Sequence, residues 1–100
     1  MAKDEATIKT EIKNHIDTNG GNYSGWYVGI AQEPRERLFK DHNVNEKEGV
    51  WIFRNAGSKN TAERIEKYFV EELKTNGNPG GGTEDTTFVY AYKIESYTKE

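Results

Sequence analysis

The chain has no cysteine, which removes disulfides and thiolate metal sites and leaves the redox compartment undetermined. It has no apolar run near membrane-spanning length, so no membrane partner is expected. Its first residues, MAKDEATIK, lack the apolar core of a signal peptide, and a soluble, cytoplasmic protein is the expectation. It also lacks the positive excess usual in nucleic-acid-binding domains: 14 basic and 17 acidic residues leave a net charge of −3. The centre of the sequence is neutral and is flanked by acidic ends. One hundred residues suit one domain with a modest core. No internal repeat and no second domain can be read from the sequence.

Hydrophobic residues make up 33% of the chain and aromatic ones 12%, so a few large side chains must supply much of the buried area. Residues 4–18 read as an amphipathic helix with Ile8, Ile12 and Ile16 on one stripe. His15 lies at the edge of that stripe as a packing residue, and Asn19, Gly20, Gly21 and Asn22 supply the residues that end such a helix. Residues 26–31, WYVGIA, have the composition of a half-buried strand. Gly29 within it marks a close approach by backbone or ligand. Pro34 then suits the first turn of a helix running from about 34 to 41.

After a polar connector, residues 50–54, VWIFR, form a second strand. Asn60 with Glu63 has the spacing of a capping box opening a helix that runs to about residue 74, with Ala62, Ile65, Phe69 and Leu73 as its apolar face. Residues 75–85, TNGNPGGGTED, read as a glycine-rich loop. The loop lacks the Lys-Ser/Thr pair of a phosphate-binding loop. Residues 87–94, TFVYAYKI, are a third strand whose alternation puts Phe88, Tyr90, Tyr92 and Ile94 on one face. The expected fold class is α+β: a small, mainly antiparallel three-stranded sheet covered by about three helices.

Tyr27-Val28-Gly29, followed by Arg37 and His42, resembles the second half of a GIY-YIG endonuclease core, in which a Tyr-Ile-Gly strand leads into an Arg-bearing helix. Ala62-Glu63-Arg64-Ile65-Glu66 resembles the helix that supplies that family's metal-binding glutamate, at the position of Glu66. The family's separate Gly-Ile-Tyr strand is not recognisable ahead of residue 26, where residues 17–22 read as helix end and turn. The strand at 87–94 is placed to fill the vacancy with Tyr90 or Tyr92. The resemblance implies hydrolysis of a DNA phosphodiester, with Glu66 holding Mg2+ or Mn2+, Tyr27 taking a proton from water, Arg37 steadying the transition state, and His42 in a supporting or phosphate-contact role. Arg35, Arg54 and Arg64 are candidate DNA contacts, forming a basic patch with Arg37 only if folding assembles one.

Each candidate also has a plainer reading. At roughly 100° per residue Glu66 falls between apolar neighbours on its helix, so its carboxylate must be paired, bind a cation or reach solvent. Arg37 stands four residues from both Glu33 and Asp41, as helix-stabilising pairs do. His42 projects beside Leu38 and Phe39 as a core histidine would, and Tyr27 points away from Trp26, Val28 and Ile30 as a packing tyrosine could. A catalytically inactive GIY-YIG-like domain that binds a protein or nucleic acid is therefore the alternative to a nuclease.

Overall fold

The computed structural model describes residues 3–79 and 82–100. Three strands, β1 (Trp26–Ala31), β2 (Trp51–Asn55) and β3 (Phe88–Lys93), form one antiparallel sheet in the order β1-β3-β2. The strand latest in sequence is thus the middle one. Its burial suits that place: Val89, Tyr90, Ala91 and Tyr92 are all at most 1% exposed, as fits a strand covered on both faces.

Alternation divides the sheet into two faces. One carries Trp26, Val28, Ile52, Val89 and Ala91 against helices α1 (Glu5–Thr18) and α3 (Lys59–Lys67). Ile8, Ile12 and Ile16 from α1, with Ala62, Ile65 and Phe69 from α3 and its extension, are fully buried there. Asp4 caps α1 by accepting from the Thr7 N–H at 2.7 Å. Gly20 and Gly21, both at positive φ, end it, with the Gly21 N–H donating back to the Ile16 carbonyl. A 3-10 turn at Tyr23–Gly25 leads into β1.

The other face carries Tyr27, Ala31, Tyr90 and Tyr92 beneath Leu38 and Val44. Its cover is α2 (Pro34–Glu36), which widens into a π-helical turn at Arg37–Asp41. α3 likewise widens at Tyr68–Glu72. The α+β class, the antiparallel sheet and the three helices match the sequence-based expectation. Among the described residues no helix is long and apolar enough to cross a membrane.

Two local expectations need correction. The N-cap of α3 is Ser58, whose hydroxyl accepts from the Thr61 N–H, and not Asn60. A serine cap with a helix-ready backbone beyond it outcompetes the capping-box spacing two residues later. The opening of the glycine-rich stretch is also more than a loop, for Asn76 pairs with β1 in a short parallel bridge. The Val28 N–H donates to the Asn76 carbonyl at 2.9 Å, and the Asn76 N–H to the Trp26 carbonyl at 2.8 Å. Without this bridge the outer edge of β1 would leave backbone groups to be satisfied elsewhere. Residues 80 and 81 of the predicted loop lie outside the described residues.

Candidate active site

β1, α2 with its π-helical turn, α3 and the stretch before β3 meet around a cavity of about 440 Å3. Tyr27 and Gly29 reach it from β1, Arg37 and Asp41 from the turn, Glu66 from α3, Asn78 and Thr86 from the connecting stretch, and Tyr90 from β3. Tyr27, Arg37 and Glu66, far apart in sequence, therefore share one hollow.

Gly29 is what lets Tyr90 enter. The two residues are register partners, and a Cβ on Gly29 would lie 2.5 Å from the Tyr90 hydroxyl. The glycine is thus required for a close approach by a side chain of the neighbouring strand.

His42 sits behind this wall, 3% exposed. The π-helical turn sets it there: the His42 N–H donates to the Arg37 carbonyl at 2.8 Å, five residues back, so the turn is wider than a regular helical one. The imidazole packs among Tyr27, Tyr90 and Tyr92, with ring centroids 4.7, 5.4 and 4.9 Å away. Its Nδ1 is 2.6 Å from the Lys99 carbonyl oxygen and its Nε2 is 2.7 Å from the Tyr90 hydroxyl. A carbonyl can only accept, so Nδ1 carries the proton in a neutral ring, Nε2 is the acceptor, and the Tyr90 hydroxyl donates to it. Burial lowers the His42 pKa from its ordinary value, against the opposing Lys99 hydrogen bond and with help from Arg37. The ring is thereby kept neutral.

Arg37 touches the Tyr90 hydroxyl and pairs with Asp41 at 3.5 Å. Burial opposes its charge, while Tyr90, Asp41 and Tyr27 more than offset this and raise its pKa. Burial also raises the pKa of Tyr27, with the Glu66 charge adding to the effect and Arg37 opposing it. Tyr90 is raised further, again by burial first. Both phenols keep their protons at neutral pH, so either can pass a proton on only by receiving another.

Glu66 is 2% exposed, and its charge is felt by both Tyr27 and Tyr90. The cavity is acidic, since Glu33, Glu36, Asp41 and Glu66 line it against a single guanidinium, that of Arg37. Among the described residues no three His, Asp or Glu side chains cluster as a ready-made metal cage. A buried carboxylate at the wall of an acidic, polar hollow fits a hard divalent cation of the magnesium type, which keeps much of its water and binds through one or two carboxylates plus substrate phosphates.

The other arginines lie elsewhere. Arg35 pairs with Glu46 and lies over Phe39 and Trp51. Arg54 pairs with Glu11 at 2.6 Å and lines a separate hollow against α1. Arg64 pairs with Glu5 at 2.9 Å. Of the four, only Arg37 lines the cavity.

Sequence reasoning placed Tyr90 on the correct face by alternation but could not show that it reaches His42, which depends on strand register. Asn78 and Thr86 carry no sequence signal of their own, and Lys99 contributes only backbone. Comparison with protein-family models, with curated proteins and with solved structures returns no match to this chain.

Proposed function

We propose that this chain is a GIY-YIG-like hydrolase of DNA phosphodiesters that uses a divalent cation, with β3 taking the place of the family's Gly-Ile-Tyr strand. The observation that carries the reading is the convergence of Tyr27, Arg37 and Glu66 from three elements on one cavity, joined there by a second tyrosine from the central strand. Those are the residue types, and that is the order along the chain, that the resemblance calls for.

Arg37 binds a non-bridging phosphate oxygen and opposes the charge that grows on it as the phosphorus becomes five-coordinate. The attacking water gives its proton to the Tyr90 oxygen while the Tyr90 proton moves to Nε2 of His42, so the phenol is regenerated and the imidazole becomes the cation. Tyr27 walls the site and orients the water. Glu66 would hold Mg2+ or Mn2+, and the bound ion supplies Lewis-acid stabilisation of the leaving oxygen. The acidic lining makes the cation's charge necessary, because a phosphodiester meets four carboxylates and one guanidinium.

The test is cleavage of single-stranded, duplex and branched DNA in Mg2+ and Mn2+ by the chain and by Glu66→Gln and Arg37→Ala. Each variant is expected to lose at least about a hundredfold in rate. In parallel, a titration with the metal alone should shift the resonances of Glu66, Tyr27 and Arg37 together, and Glu66→Gln should abolish the shift. No cleavage of any form, with unmoved resonances at millimolar metal, rejects the hydrolase and leaves an inactive interaction module.

A further inference from the structure

The segment after β3 makes no contribution to the cavity wall, yet it is tied to the residue behind that wall. Residues 95–98 form a turn in which the Glu95 carbonyl accepts from both the Thr98 N–H, at 3.1 Å, and the Thr98 hydroxyl, at 2.9 Å. The turn carries the chain back across His42. There the Lys99 N–H donates to the His42 carbonyl at 2.7 Å, and the Lys99 carbonyl accepts from His42 Nδ1 at 2.6 Å. One backbone residue thus grips both the main chain and the ring of His42. The Asn43 side chain, from a left-handed backbone position, adds a 2.9 Å hydrogen bond to the Tyr97 carbonyl. The Tyr92 hydroxyl lies 3.3 Å from the Lys99 oxygen and 3.1 Å from Nδ1.

We infer that the segment from Glu95 to Lys99 is a positioning element for catalysis, whose Lys99 carbonyl selects the Nδ1–H tautomer of His42 and thereby turns the Nε2 lone pair toward Tyr90. The inference rests on the reading of Tyr90 and His42 as the proton path. The logic is that of an acceptor behind a catalytic imidazole, with a backbone carbonyl where other enzymes place a carboxylate. A neutral acceptor fixes the tautomer without adding a charge to a buried site. Because only the main chain of Lys99 acts, the identity of its side chain is immaterial.

The experiment reads the tautomer directly, without substrate, from long-range proton–nitrogen NMR correlations of 15N-labelled His42. The full chain should show protonated Nδ1 and unprotonated Nε2, and Lys99→Ala should show the same. A chain stopped after Thr98, and separately Lys99→Pro, which removes the donor to the His42 carbonyl, should shift the ring toward Nε2–H, the form imidazole favours in water. Where cleavage is measurable, those two variants should lose about ten- to a hundredfold in rate. An Nε2–H ring in the full chain overturns the inference at once. An unchanged tautomer in the shortened chain or in Lys99→Pro overturns it too, since Tyr90 and Tyr92, whose hydroxyls lie at Nε2 and Nδ1, would then set the ring. If the tautomer responds as expected and no DNA is cleaved, the clamp stands and the hydrolase reading fails.

Discussion

The two faces of the sheet are built from different materials. On the α1/α3 face the core is aliphatic and aromatic, with Ile8, Ile12, Ile16, Ile65 and Phe69 packed on Trp26, Val28 and Val89, while Glu66 of α3 is buried at the cavity. On the α2 face two tyrosines and a histidine are buried as deeply, and they are linked by hydrogen bonds. The first face derives stability from area removed from water. The second buries polar groups whose hydrogen bonds add only about 0.5–1.5 kcal/mol each when made and cost more than that when left unmade, so its stability depends on the whole network being satisfied. A domain this small can carry such a face because the opposite one is built mainly of apolar side chains.

Substitutions can sharpen that contrast. The largest stability effect should come from Phe69→Ala, which opens a cavity on the apolar face. It should cost about 3–5 kcal/mol in chemical denaturation, enough to unfold a large share of a marginal domain. A loss below about 1 kcal/mol would mean that face is not the main source of stability.

Gly29→Ala acts on the polar face. Its new Cβ would lie 2.5 Å from the Tyr90 hydroxyl, so strand or ring must move, at about 1–3 kcal/mol. The contact between Tyr90 and Nε2 of His42 should be lost with it. Stability should fall moderately while any cleavage falls far more, and equal losses in both would deny the face its special role.

The smallest effect is a pH dependence that separates the two faces. Burial lowers the pKa of His42 below its ordinary 6.5, and that of His15, at the edge of α1, falls for the same leading reason. Between its lowered folded value and about 6.5, each histidine is protonated in the unfolded chain and neutral in the folded one. Stability is therefore full above that window and declines as pH falls through it. Denaturation midpoints at pH 7.5 and 5.5 should differ in the chain, and less so in His15→Gln and in His42→Gln. No change in either variant would remove the histidines from the account.

Much of this fold is legible in the residues themselves. WYVGIA is β1 to the residue, and the isoleucines of α1 point where a period of 3.6 puts them. Helical geometry alone set Glu66 between apolar neighbours and left open whether it reaches solvent; at 2% exposed, it does not. What was hidden depends on distant partners. The Asn76 bridge exists because β1 has an open edge, a fact of sheet order that no local pattern encodes. The link from Tyr90 to His42 needs the pairing of Gly29 with Tyr90 and the widened turn at once. The Lys99 carbonyl is invisible to any reading of side chains.

The sheet order has a consequence for how the molecule is made. β1 and β2 share no hydrogen bonds and meet only through β3. On the ribosome, then, two strands must wait without partners until the third clears the exit tunnel. Helices α1 and α3 can form earlier, but the pairing that closes the structure is non-local, which favours slow, all-or-none folding over stepwise assembly.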